Sequence, residues 1–504
     1  MKKIFLFIGI LSMQFLNAQD ITDAVRYSQQ EILGTARYRG MSGAFGALGG
    51  DLSALQINPA GSAIFLNSFG SITLSGGRVD NDVLYFNGFN NTNTGNANFN
   101  QVGVVFIHDD YNPESTGINK LTLGLTYDQT TDNADELFVF GQSTNSIDEL
   151  FLSESQGLPL DLISRRTGET VNELYSFLGE TEGYSAQQAF LGHETFIIEP
   201  TDPDDSSNTS YFSNVAPGVF NHEYINTTTG INGKLTANIG AQIDKDFFIG
   251  LNLNSHFINF DRVTEFFEGN NNTGSNINEI LFTNRLSTFG SGFSAQIGGI
   301  AKVSKMVRVG ASFETPTWYY LEEETSQRLT TVSDTDGTAF ANPNVINIFP
   351  GYQITTPAKA TGSIALLFDK KGLISLDYSY KDYSTTKLSS DEGIDFSSIN
   401  DSIEENLQAA STLRIGTEWR YYNWSIRGGY SFEESPYKDN LILGDKTGIS
   451  IGTGFSFDKY KFDVAYTHTY QERLEQFYPN SAFSNAALVE NNTTNFTFTL
   501  GMNF

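Results

Sequence analysis

The chain has no cysteine, which removes thiol nucleophiles, cysteine-ligated zinc, iron–sulfur clusters and disulfides together. Its five histidines, His108, His193, His222, His256 and His468, fall at neither metal-site nor nucleophile-elbow spacing. No enzyme, metal centre or cofactor is therefore expected. Positive charge is scarce too: 30 Lys and Arg face 58 Asp and Glu, for a formal charge of −28. Nucleic acid is thus a poor partner, and the acidic excess reads as solvated loops. Asp334-Thr335-Asp336-Gly337 and Asp202 to Asp205 are incomplete as calcium loops and read as solvated turns.

Long apolar runs are missing as well. Beyond residue 18 no stretch approaches the ~18 apolar residues of a membrane-crossing helix, and the mean hydropathy is −0.25. The chain nonetheless opens as exported chains do. Lys2 and Lys3 precede an apolar stretch from Ile4 to Phe15, and Leu16-Asn17-Ala18 supplies a small-residue cleavage site, so residues 1–18 read as a signal peptide. Without a cysteine after the site, no lipid anchor is expected. An exported chain without membrane helices, carrying 47 Gly, 23 Tyr and 41 Phe, suits strands whose faces alternate between lipid and water.

The last residues show that alternation most clearly. Phe496, Phe498, Leu500, Met502 and Phe504 occupy every second position, with Thr497, Thr499, Gly501 and Asn503 between them, so one face meets lipid and the other the lumen. A terminal Phe504 on the apolar face resembles the signal read by barrel-assembly machinery, the expected assembly partner. Similar segments begin near residues 66, 100, 119, 231, 247, 286, 306, 357, 373, 412, 424, 448 and 460. With the terminal strand they make an all-β, antiparallel transmembrane barrel of about fourteen strands, at residues 66–504, in the outer membrane of a Gram-negative bacterium.

Connection lengths test that count independently. Long segments (79–99, 129–230, 261–285, 321–356, 384–411, 433–447 and 471–491) alternate with shorter ones at 110–118, 244–246, 304–305, 369–372, 421–423 and 458–459. Long extracellular loops and short periplasmic turns alternate in this way, and both termini then lie in the periplasm. In the longest loop, Ser146 with Glu149 and Thr170 with Glu173 each match a capping box. Val171, Leu174, Tyr175 and Leu178 give the second helix one apolar face, ending at Gly179. Such a cap can gather ligands or simply pack on neighbouring loops.

Residues 19–65 show no strand alternation and need a place of their own. Ile21, Ala24, Val25, Ser28 and Ile32 suit a short amphipathic helix, and Gly40, Gly43, Gly46 and Gly49 permit close backbone approach. Asn58-Pro59-Ala60-Gly61 follows, just before the first strand. That motif, with Gly40 to Gly61 and Asp51, resembles the lumenal hatch of the FadL/TodX family of outer-membrane transport proteins. Weaker echoes are Pro316-Thr317-Trp318, Thr356-Pro357-Ala358, Gly416, Glu418, Arg427, Gly429, Tyr430 and Pro436. The resemblance implies passive transport of hydrophobic or amphipathic small molecules, long-chain fatty acids foremost, with aromatic hydrocarbons or haem as alternatives. It also implies a sideways exit toward membrane lipid at the third strand, 119–128, beside Asn58 to Ala60, where only Gly124 eases a bend.

A carboxylate-bearing lipid in the lumen needs a cationic partner. Alternation points Arg414, Arg427, Arg308, Lys359 and Lys234 inward, together with Glu418, and makes the first four the candidate ligand-binding residues. The competing expectation pairs these cations with Glu314, Glu418, Asp377 and Asp463 to brace the wall. A surface adhesin or assembly scaffold using the acidic loops is the alternative to transport.

Overall fold

The computed structural model describes residues 21–109, 117–335, 337–478 and 480–504. The signal peptide expected at 1–18, most of the connection at 110–118 and Asp336 of one acidic turn lie outside them.

Fourteen antiparallel strands close on themselves. β1 (Phe69–Tyr85) pairs with β2 (Gly88–Asp109) on one side and with the last strand, β14 (Ala486–Asn503), on the other, so the sheet has no free edge. Between them run β3 (Ile118–Asp132, continued by Asp135–Ser143), β4 (Ile231–Ile243, preceded by Phe220–Thr229), β5 (Phe247–Asn270) and β6 (Ile277–Lys302). β7 (Val307–Glu314, then Trp318–Ser333) and β8 (Asn347–Thr355, then Lys359–Phe368) are both broken beside a proline, Pro316 and Pro357. A missing N–H and a fixed φ interrupt a ladder in this way. β9 (Gly372–Asp382), β10 (Ala409–Tyr421), β11 (Trp424–Glu433), β12 (Lys446–Phe457) and β13 (Tyr460–Gln476) complete the barrel.

The lipid face is the one that alternation predicts. Phe496, Phe498, Leu500, Met502 and Phe504 are 36–56% exposed, while Thr497 and Thr499 between them are buried in the lumen. Short turns close the periplasmic side, with Asp244, Asp369, Tyr422 and Asp458 at φ of 51, 48, 52 and 53°. Aspartate is among the few non-glycine residues that accept the left-handed region.

Loop expectations need correction where strands continue past the membrane; within 321–356, β7 runs on to Ser333, and Gly337–Ala341 and Asn347–Thr355 are strands. Residues 79–99 are not a loop: β1 and β2 continue as a hairpin through Tyr85↔Gly88. Likewise β5 and β6 run for 24 and 26 residues, far beyond the ~9–11 that cross a bilayer, leaving little of the segment 261–285 unpaired. Above the membrane neither strand face meets lipid, so the apolar alternation ends while backbone pairing continues.

The long segment between β3 and β4 folds into a cap of α3 (Asp148–Ser155), α4 (Leu160–Ile163), α5 (Val171–Thr181) and α6 (Tyr184–Glu194). Its core joins Phe151, Leu174, Tyr175 and Phe190 to Tyr85, Phe266 and Phe282 of the strands. The capping box at Thr170 and Glu173 is present. Ser146 and Glu149 do not form one, because α3 starts later and the Ser146 hydroxyl donates to the buried Glu268 at 2.5 Å.

Candidate functional site: a lumenal cavity floored by the hatch

Residues 21–65 sit inside the barrel as α1 (Ile21–Arg26), α2 (Ala36–Arg39) and 3-10 turns that include Pro59–Ile64. The Asn58 motif seats this hatch. Asn58 Oδ1 caps the turn by accepting from Ala60 N at 3.1 Å, and Pro59 occupies the first position, where no N–H is needed. The Asn58 amide then donates to Gly46 O at 2.8 Å and to Gly299 O of β6 at 3.0 Å. One side chain thus ties the turn, the glycine stretch and the wall together. Opposite it, a Cβ on Gly298 would lie 2.1 Å from Asn58 Oδ1, so only glycine lets the wall come this close.

Charged groups fix the other side of the hatch. Arg37 donates to Glu418 Oε2 at 2.8 Å, and Arg427 bridges Glu418 at 2.7 Å and Asp463 at 2.6 Å. The Gly46 N–H donates to Asp377 Oδ2 at 2.9 Å. Arg37, Arg427, Glu418 and Asp463 are paired and hydrogen-bonded, the condition under which burial of charge is tolerated.

Above the hatch lies a cavity of about 980 Å³, at the upper end of the range for small-molecule pockets. Its lining is divided. Tyr224, Phe260, Leu286, Phe477 and Tyr478 give an apolar and aromatic side, and Asn96, Asn98, Thr131, Asn491, Thr493 and Asn495 a side of amides and hydroxyls. Arg262 and Lys446 also line it, and among the described residues neither has an ion-pair partner. A second cavity of about 40 Å³ shares Gln30 and Glu433 with the first and is lined by Lys359, Lys381 and Arg414.

The wall beside the large cavity has a seam. β2 and β3 pair from Asp109↔Lys120 up to Gln101↔Asp128, and β3 bulges between Gln129 and Thr131. Beyond that point side chains replace backbone pairing. Asn98 donates to Asp132 Oδ2 at 2.6 Å, Thr92 to Glu136 O at 2.9 Å and Asn90 to Phe138 O at 3.2 Å. The bulge lies just past the stretch 121–127 where the sequence shows only Gly124. Tyr127 stacks with Phe99 and Phe257 at 5.8 and 6.1 Å below the seam, an aromatic cluster of the kind that marks a membrane interface.

Residues 226–504 match the sequence profile of the family described as outer membrane protein transport protein (OMPP1/FadL/TodX). The chain belongs to this family. Its place is the Gram-negative outer membrane, and its class is a transport protein for hydrophobic compounds rather than an enzyme. No curated protein matches it in sequence. Among solved structures it is similar in fold to a Pseudomonas aeruginosa FadL homologue, at 12% identity and a TM-score of 0.55, over 95% of this chain and 100% of that one. It is also similar to the Pseudomonas putida toluene transporter TodX, at 14% identity and a TM-score of 0.51, over 95% and 100% of the two chains.

Within this FadL/TodX fold the four expected ligand cations fall into two groups. Arg427 is committed to Glu418 and Asp463, and Arg308 donates to the hatch carbonyl of Leu48 at 3.2 Å; neither lines a described cavity. Lys359 and Arg414 line the small cavity, with Lys359 also paired to Glu314 at 2.7 Å. Sequence reasoning missed Arg262, because 261–285 reads as a loop, and Asn96, because 79–99 does. The signal was there: Asn90, Thr92, Thr94, Asn96, Asn98 and Asn100 keep a period of two without any apolar partner face.

Proposed function

We propose that this FadL/TodX member carries amphipathic carboxylates, long-chain fatty acids foremost, across the outer membrane without energy input. The observation that carries this reading is an aromatic-walled cavity holding an unpaired Arg262. Arg262 is half-buried and lines the cavity without an ion pair, and a carboxylate is its natural complement, while Phe260, Tyr224 and Phe477 offer the chain its apolar contact. Lys359 and Arg414 in the adjoining small cavity form the next stop for the head group. Arg308 and Arg427 act at a distance by holding the floor. The β2–β3 seam, opening from the same cavity just above the aromatic cluster of Tyr127, Phe99 and Phe257, is the sideways passage between the cavity and the outer face of the membrane. Aromatic hydrocarbons are the second reading, favoured by the ring-lined wall, but they leave Arg262 without a purpose.

Uptake of labelled oleate in a Gram-negative host lacking its own fatty-acid transporter tests this. The intact chain should support uptake. Arg262→Glu at matched surface level should reduce it roughly tenfold or more, the scale of one charge-assisted hydrogen bond, and Asn58→Ala with Pro59→Ala should reduce it by unseating the floor. Correctly folded protein that takes up toluene but no oleate would move the substrate to aromatic hydrocarbons. No uptake of either would shift attention to haem and to the acidic loops as a scaffold.

A further inference from the structure

The apolar and charged parts of the cavity fit a fatty acid, but its amide side does not. Asn226 is buried on β4's leading segment, and its Nδ2 donates to Glu475 Oε1 at 2.7 Å. Asn96 on β2 likewise donates through Nδ2 to Asp132 Oδ2. In each case a carboxylate accepts the NH2 group, so the amide cannot turn over without losing a charge-assisted bond, and its carbonyl oxygen is fixed in direction. Both oxygens, Asn226 Oδ1 and Asn96 Oδ1, are buried and have no hydrogen-bond partner among the described residues. Both residues line the large cavity.

An acceptor held in this way is satisfied only by a donor. An acyl chain has none, and an ionised carboxylate has none. Such a ligand leaves both oxygens unsatisfied. Donors available to a small molecule are hydroxyl, amide and ammonium groups. Ammonium is disfavoured here because Asp132, Asp135 and Glu475 are already engaged by Asn96, Asn98, Arg473 and Asn226, while Arg262 and Lys446 remain without an ion pair. Glu31 and Glu433 on the same lining also stand without an ion pair among the described residues, so the uncommitted charges balance and a neutral donor disturbs them least.

We infer that the cavity is built for a hydroxylated amphiphilic acid: a carboxylate for Arg262, a chain against Phe260 and Tyr224, and one or more hydroxyls for Asn226 and Asn96. This rests on the carboxylate reading of the same cavity and adds the hydroxyl. It also accounts for the position of the polar side beside the seam, where a hydroxylated segment meets Asn96 and Asn98 and the chain lies on the aromatic side.

The test compares oleate with ricinoleate, which differ by one hydroxyl on the same eighteen-carbon chain, as competitors for a fluorescent fatty acid on purified, heat-modifiable full-length barrel. The expected result is at least fivefold tighter binding of ricinoleate. In Asn226→Leu that preference should fall to about one while oleate binding stays within twofold, and Asn96→Leu should reduce it by part. Equal binding of the two acids by the intact protein overturns the inference, the two oxygens then being served by water, and leaves the carboxylate reading standing. A preference that survives both substitutions overturns the assignment to these asparagines. Failure of both acids to bind brings down the carboxylate reading and the inference with it.

Discussion

Asn58 shows how much one side chain can be asked to do. Its carbonyl caps a 3-10 turn and its NH2 group serves Gly46 O and Gly299 O, so Asn58→Ala loses a cap, typically about 1 kcal/mol, and also orphans two carbonyls. Gly298→Ala attacks the same contact from the wall, since the added methyl has no room beside Asn58 Oδ1. Both variants should increase amide hydrogen exchange across 36–64 while β1 and β14 stay protected. Unchanged exchange in Gly298→Ala would show that the hatch is held elsewhere. The motif itself was legible, because Asn-Pro at the head of a turn has a local cause. Its partners were not, since backbone carbonyls carry no residue identity. The inward cations were legible by the same logic: period two gives direction. It does not give the partner, which is why Arg427, committed to Glu418 and Asp463, and Arg414, beside a small cavity, looked alike.

Among the elements, the strands divide into a part that the sequence declares and a part that it hides. Where β14 crosses lipid, an apolar residue stands at every second position and the reading is direct. Where β2 rises above the membrane, Asn90 to Asn100 keep the period with polar groups on both faces, and hydropathy alone takes them for a loop. The seam lies in that hidden part. If molecules leave through it, tying β2 to β3 should block them. The chain has no native cysteine, so Asn98→Cys with Asp132→Cys, joined by a short thiol-reactive linker, gives one defined cross-link. Uptake should fall several-fold on linking and not in either single variant. Undiminished uptake would remove the seam from the path. In the cap, α5 offers a pH test. Hydrogen bonds from the Thr170 N–H and hydroxyl hold the exposed Glu173 carboxyl below its usual range. A depressed folded-state pKa stabilises above the unfolded value and is lost as pH falls through the folded one. The protection factor of the amides at the start of α5, measured against intrinsic exchange at each pH, should therefore fall between neutral pH and about pH 3 in the intact chain, and differ little across that range in Glu173→Gln.

For the whole molecule, closure runs out to Phe504. β14 joins β1 from Asn503↔Phe69 to Leu488↔Leu84, and Phe504 extends the contact by donating its N–H to Ser68 O at 3.0 Å. Its ring faces outward, 5.9 Å from Phe106, so closure of the barrel and the expectation that this aromatic is read by assembly machinery fall on the same residue. These roles separate by experiment. Phe504→Ala keeps the chain and its backbone bond but removes the ring; deletion of Phe504 removes both. If the ring is the signal, both variants should lower the yield of heat-modifiable barrel in cells by several-fold, Phe504→Trp should restore it, and all three should refold in detergent from denaturant about as well as the intact chain. If only closure matters, Phe504→Ala should assemble normally in cells while the deletion refolds poorly even without machinery. Loss in cells with normal refolding in detergent would therefore place the requirement in recognition, because a single exposed ring adds little to a ladder of backbone hydrogen bonds that already runs the length of two strands.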